Sequence, residues 1–203
     1  MEIRFTLKKM EPIFDFKKLN KLDPKRGRIL ISEPFLQDDF FKRSVVLLCE
    51  HNDDGSFGFV LNNFVDVNLS ELIEELPDVK MRISVGGPVK NDNLYYLHTL
   101  GQKIPGSIEV TKGIYMGGSY DAMKIAVDSG KIKNGMLRFF VGYSGWEKGQ
   151  LEKEIESSSW LVTNAQIGDI MNTEIDDLWK KILKEMGKQF GIIANFPDDP
   201  SLN

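Results

Sequence analysis

The stretch SVVLLCEHNDDGSFGFVLN, residues 44–62, constrains the fold more than any other part of the chain. Residues 44–50 are a nearly unbroken apolar run with Val45 and Val46 adjacent, the pattern of a strand buried on both faces. Asn52-Asp53-Asp54-Gly55 follows as a turn, because Asn and Asp bond their own backbone and glycine supplies positive φ. Residues 57–61 then read as the returning strand of a hairpin, with Asp54-Gly55 as the pair at its tip.

The same stretch carries the chain's only cysteine. Cys49 stands two residues from His51, one of two histidines, with Glu50 between them. Strand side chains alternate, so Cys49 and His51 are expected on one face and Glu50 on the other, which rules out a local Cys-Glu-His triad. Cys49 reads as a small buried hydrophobe, with no neighbouring cation to stabilise a thiolate. Cys49, His51 and His98 could ligate zinc only if two strands lay side by side and faced alike. Neither a metal nor a cofactor is expected.

Elsewhere strands and helices interleave. Residues 1–26 read as an N-terminal arm with a short helix near 15–22, residues 27–187 as a single domain, and residues 188–203 as a tail. Strands are expected at 28–32, 82–85, 94–99, 107–110, 113–116, 136–141 and 160–162. Helices are expected at 69–76, 119–129 and 149–156, with a helical turn at 37–42. Ser119 suits an N-cap, Asp121 a first turn and Gly130 a stop. Gly86-Gly87-Pro88 and Gly142-Tyr143-Ser144-Gly145-Trp146 read as turns. Ile175, Leu178, Trp179, Ile182, Leu183 and Met186 form an apolar stripe at helical spacing, with Thr173 and Asp176 as a capping box and Gly187 as the stop. The class is α/β (α+β) around a mixed sheet.

Composition excludes several functions. The formal net charge is −4, which disfavours nonspecific nucleic-acid binding, and no basic recognition helix is evident. Basic residues between Lys17 and Arg28 read as a solvated face. No apolar run approaches the roughly 20 residues needed to span a bilayer. With no leader pattern and a single cysteine, a reducing cytoplasm is expected.

The stretch EPFLQDDFFKRSVVLLCEHN, residues 33–52, resembles the YqgE/AlgH family. Gly55, Gly58, Val60-Leu61-Asn62, Gly86-Gly87-Pro88-Val89, Leu97-His98-Thr99, the stretch GYSGWEKGQLEKEI, Trp160-Leu161 and the helix around Trp179 continue the resemblance across residues 27–187. One departure stands after Asn62, where the family usually has a basic residue and Pro and this chain has Asn63-Phe64. The resemblance implies a bacterial domain whose bifurcated sheet curls toward a partial barrel, with helices packed outside. It implies little about activity: the family is largely uncharacterised, and its label of transcriptional regulator rests on genetic association.

Motif chemistry is sparse. Gly142 to Trp146 fails the G-x-S-x-G pattern at Trp146, and both histidines precede Ser144, against the order of such hydrolases. Gly86-Gly87-Pro88 lacks the features of a phosphate loop. The expected function is a non-catalytic regulatory or interaction protein that offers a polar groove to an unknown protein or small molecule. The candidate residues are Asp38, His51, Asn62, His98, Trp146, Gln150 and Glu154. The alternative is a hydrolytic enzyme with His51 or His98 as general base and Glu154 or Asp38 as partner. Gln150 and Glu154 share a helix face beside an inward stripe of Leu151 and Ile155, and Trp146 can cover them, so this corner is either a site or a structural polar lock.

Overall fold

Two halves of a sheet share one long strand. The computed structural model describes residues 16–77 and 80–197. Its strands are β1 (Arg28–Ser32), β2 (Val45–Asn52), β3 (Gly55–Val60), β4 (Phe64–Asn68), β5 (Lys80–Val85), β6 (Val89–His98), β7 (Ile108–Thr111), β8 (Ile114–Met116), β9 (Leu137–Glu147) and β10 (Trp160–Asn164). Its helices are α1 (Phe16–Leu19), α2 (Leu69–Leu72), α3 (Tyr120–Asp128), α4 (Gln150–Glu156), α5 (Ile167–Met171), α6 (Leu178–Glu185) and α7 (Lys188–Ala194). The strand order is β10-β1-β2-β3-β9-β6-β8-β7, and β4 joins through β5. The sheet is mixed because β5 runs parallel to β9 while the other pairs are antiparallel.

The fork lies at Gly142. Up to Tyr143, β9 pairs with β6 and, at Phe140 and Val141, with β5; beyond it, residues 144–147 pair with β3. Gly142 has φ +69°, and a Cβ there would lie 2.9 Å from the Gly87 carbonyl oxygen. The local kink reverses the side-chain alternation. Phe140 and Tyr143, three residues apart, would point to opposite faces of a regular strand, yet both pack on the same core. The expected turn at 142–146 is therefore continuous strand, because the sheet needs a glycine kink there rather than a chain reversal.

The sheet also curls. Gly27, at the start of β1, approaches β7 so closely that a Cβ would sit 2.7 Å from the Val110 carbonyl oxygen. Ile29, Val45, Leu47, Leu97, Val110 and Phe140 share the enclosed core. Trp179, Leu183, Phe190 and Ile193 of α6 and α7 fill the same core and close the open side of the curl. Outside, α4 contributes Leu151 to a cluster with Leu30, Val46 and Leu48, and α3 contributes Met123 to one with Tyr96 and Phe139. Eight residues are too few for a stable isolated helix. Burial of Leu178, Trp179, Ile182 and Leu183 holds α6, each worth about 1.5–3 kcal/mol.

Several boundaries differ from the sequence reading. The helix read from the 175–186 stripe, α6, starts only at Leu178, because the Asp177 carboxylate caps it by accepting from the Lys180 N–H at 2.9 Å. Strand β4 and helices α5 and α7 were not foreseen. Phe190, Ile193 and Ala194 are buried, so residues 188–194, expected within a tail, join the packed body. The helix expected at 69–76 is confined to Leu69–Leu72, and that expected near 15–22 to Phe16–Leu19; the rest of the arm before residue 16 lies outside the described residues. Among the described residues, no helix is long and apolar enough to cross a membrane.

Candidate functional site

The hairpin tip forms as expected in kind but one residue earlier. Asn52 pairs with Gly55, leaving Asp53-Asp54 as the loop. The Asn52 Oδ1 accepts the Asp54 N–H at 2.8 Å and fixes the turn. Gly55 has the positive φ foreseen, +140°, and its bare backbone lets Trp146 approach: a Cβ would lie 2.4 Å from the Trp146 carbonyl oxygen.

A β-bulge then redirects the opening motif. Leu48 stands opposite Gly58 and Glu50 opposite Phe57, so Cys49 is the extra residue. Cys49 packs in the enclosed core, whereas His51 stands opposite Ser56 and reaches toward α4. The expectation that Cys49 and His51 share a face is thus corrected, because one inserted residue inverts the alternation beyond it. Burial pushes the Cys49 thiol well above its ordinary pKa, with Arg26 opposing weakly. The His51 Nδ1 lies 2.8 Å from the Ser56 Oγ, and its Nε2 lies 3.7 Å from Oε1 of Glu152 on α4.

Behind the hairpin, Glu154 gathers the polar groups of the corner. Its Oε2 accepts the indole N–H of Trp146 at 2.9 Å and that of Trp160 at 2.8 Å. Its Oε1 accepts from the Gln150 Nε2 at 2.9 Å, and the Gln150 Oε1 accepts the Glu147 N–H at 2.9 Å. The i, i+4 spacing of Gln150 and Glu154 places both on one face of α4. Phe41 stacks on Trp146 and meets Trp160 edge-on. In front of this assembly is a shallow cleft of about 260 Å³ lined by Glu50, Asn52, Asp54, Ser56, Phe57 and Trp146.

The other candidates lie elsewhere. His98 is fully buried at the end of β6. Its Nδ1 accepts the Leu100 N–H at 3.3 Å and its Nε2–H donates to the Gly117 carbonyl at 3.1 Å, which fixes one neutral tautomer. Burial lowers its pKa, partly offset by the Gly117 bond. His98 stands opposite Leu137 on β9, and Ser56, the partner of His51, opposite Trp146. Nine residues of β9, a contour of roughly 30 Å, lie between the two pairs, so the histidines are not placed to share a metal or a substrate. Asn62 bridges backbone, accepting the Val45 N–H and donating to the Arg43 carbonyl, both at 2.8 Å. Asp38 caps the 38–42 turn, accepting from the N–H groups of Phe40 and Phe41. Ser144 is buried and donates to the Gly86 carbonyl at 3.0 Å. Among the described residues, no group of three His, Cys, Asp or Glu is placed to hold a metal.

Sequence reading missed Arg138. Fully buried on β9, its guanidinium donates to the Ser84 hydroxyl and to the carbonyls of Leu61 and Ile170. It lies over the Phe140 and Phe64 rings. Desolvation pushes its pKa down to about 9, so it remains a cation at neutral pH. An arginine flanked by Leu137 and Phe139 was the available signal. Phe64, in the departure from the basic-Pro pattern, also faces the Arg82 guanidinium at 4.6 Å.

The forked sheet, its curl around one core and the polar corner at its rim define an α/β protein with a partial-barrel, AlgH-type architecture. The chain belongs to the AlgH-like family, whose model matches residues 29–191. A UPF0301 protein of Bacteroides fragilis is 41% identical over 185 residues, covering 91% of this chain and 94% of that protein. A UPF0301 protein of Cytophaga hutchinsonii is 38% identical over 88% of this chain and 98% of its own length. The solution structure of the AlgH protein from Pseudomonas aeruginosa superposes with a TM-score of 0.68 at 26% identity, covering 88% of this chain and 98% of that one. A crystal structure of a protein from Corynebacterium diphtheriae gives 0.72 at 23% identity, covering 89% and 97%, and shares the fold.

Proposed function

We propose that this chain is a non-catalytic regulatory or interaction protein that receives its partner in the cleft at the β2–β3 hairpin tip. The observation that carries this reading is the cleft lined by Glu50, Asn52, Asp54, Ser56, Phe57 and Trp146, with Trp146 held from behind by Glu154. Polar side chains at the rim and two aromatic residues in the wall suit recognition. The side chains that hydrolysis would recruit are committed to structure: His98 by both ring nitrogens, Ser144 by the Gly86 carbonyl, Cys49 by burial. Two carboxylates at the cleft disfavour a phosphate backbone as partner, so direct nucleic-acid binding is not part of the proposal.

The test is site-specific photo-cross-linking in cells of the source bacterium. A photoreactive residue at Asn52 should yield a discrete adduct that the double variant Glu50→Lys, Asp54→Lys abolishes, while one at exposed Ile125 on α3 yields none. The same adducts from both positions, or none from Asn52, would reject the reading.

A hydrolytic reading draws on one observation, the contact of His51 with Ser56 and Glu152. Against it, Ser56 lies on a strand paired on both sides, so ladder bonds occupy the local backbone and leave no evident pair of N–H donors for an oxyanion. Hydrolysis of an activated ester that disappears in Ser56→Ala would favour this reading over the first.

A further inference from the structure

At the opposite end of β2, roughly 25 Å from the hairpin tip by strand rise, the chain grips its own C-terminal segment. The Nη2 of Arg43 donates to two successive carbonyls, Phe196 at 2.6 Å and Pro197 at 2.8 Å. The Phe196 ring stacks on Phe35, with centroids 5.7 Å apart and planes at 27°. The Arg43 guanidinium lies over the Trp179 ring at 4.8 Å.

These groups are held in place by other parts of the fold. Arg43 has φ +50°, a left-handed conformation that residues with side chains seldom adopt. The Asn62 amide secures it by donating to the Arg43 carbonyl while accepting the Val45 N–H. Trp179 is oriented by its indole N–H, which donates to the Ser32 carbonyl at 2.9 Å. The strained backbone and the stacked cation are thus positioned largely by residues other than the segment they hold.

The occupant and the site also differ in their place in the family. Phe35, Arg43, Asn62 and Trp179 lie within the region matched by the family model, residues 29–191, and Phe196-Pro197 lies beyond it. The contacts themselves are of a general kind. One guanidinium reads two main-chain carbonyls, an aromatic ring supplies a stacking surface, and a proline biases the residue before it toward extended backbone.

We propose that Phe35, Arg43 and Trp179 form a docking site for an extended aromatic–proline peptide segment, which Phe196-Pro197 fills in cis. The C-terminal segment is then a built-in competitor. It is tethered directly to α7, at an effective concentration on the order of millimolar, so a partner segment gains access only by displacing it. This site is separate from the hairpin cleft, and its failure or success leaves the reading of that cleft untouched.

The experiment uses the full chain and a fluorescent peptide with the sequence of residues 194–203. The Phe196→Ala variant should bind this peptide at least tenfold more tightly than the wild-type chain, and adding Arg43→Met should abolish the gain. Equal binding by wild type and variant, or no binding by a Phe196→Ala chain with native circular dichroism, would overturn the proposal. A second measurement needs no variant. In the wild-type chain the Phe196 amide donates to the Ile193 carbonyl at 3.1 Å. Millimolar peptide should accelerate its hydrogen exchange, and an unchanged rate would equally overturn the proposal.

Discussion

Trp146 and Trp160 donate their indole N–H groups to the same carboxylate oxygen of Glu154, with their rings 6.0 Å apart and nearly perpendicular at 81°. Both residues are buried, with 5% and 1% of their surface exposed, so the shared oxygen satisfies two donors that have little access to water.

Removing that carboxylate leaves both donors unpaired. Glu154→Ala is expected to lose about 1–3 kcal/mol for each buried N–H that finds no new partner. Urea denaturation followed by tryptophan fluorescence measures it. A midpoint equal to that of the wild-type chain would show that the corner is not a structural lock.

Arg138 joins β9 to β5 and to the ends of β3 and α5. Arg138→Met fits the apolar surroundings but strips the carbonyls of Leu61 and Ile170 of their donor. The loss is expected to be about 2–4 kcal/mol, since relief of the desolvation that lowers the arginine pKa offsets part of it. A stabilised variant would mean that the buried charge costs more than its hydrogen bonds return.

His98 is neutral in the folded protein, with its pKa below the ordinary 6.5 because burial disfavours the cation. In the unfolded chain it takes up a proton near that ordinary value. Its contribution to stability is therefore complete above pH 6.5 and declines as the pH falls from there toward the folded pKa. Stability curves measured from pH 8 to pH 5 should show a shallower acid slope for His98→Gln than for the wild-type chain; parallel curves would contradict this.

Gly87 passes β9 with no room to spare. A Cβ would come within 1.9 Å of the Tyr143 carbonyl carbon, a contact with backbone that no rotamer change relieves. Gly87→Ala is expected to destabilise the chain by more than about 3 kcal/mol, at or beyond the usual range for overpacking. Thermal unfolding tests this, and a loss below 1 kcal/mol, on the order of an ordinary surface change, would show that β6 and β9 can separate locally.

Burial should also silence the single cysteine. Cys49 is 1% exposed and its thiol is held protonated by desolvation. Native protein should react with a thiol reagent at least about a hundredfold more slowly than protein in denaturant, because the thiolate is the nucleophile. Comparable rates would place the thiol at the surface.

The sequence by itself determined the elements whose burial follows from local pattern. The apolar run of β2, with its adjacent β-branched residues and the turn after it, pointed to a covered strand, and the i, i+4 spacing of Gln150 and Glu154 fixed their common face once Gly149 opened α4. The stripe of Leu178, Trp179, Ile182 and Leu183 marked the inner face of α6, and the family motifs fixed the architecture. Tertiary structure alone decided the rest. The bulge at Cys49 and the kink at Gly142 each reverse which face a side chain reaches, and both arise from pairing with strands distant in sequence. Arg138 finds its acceptors on residues 54, 77 and 32 positions away, a set that no local period encodes. The two histidines look alike in the sequence, but one is sealed in the core by two backbone bonds and the other lies between Ser56 and Glu152, partly exposed. That difference depends on which strands close around each ring, a property of the assembled sheet rather than of the residues beside it.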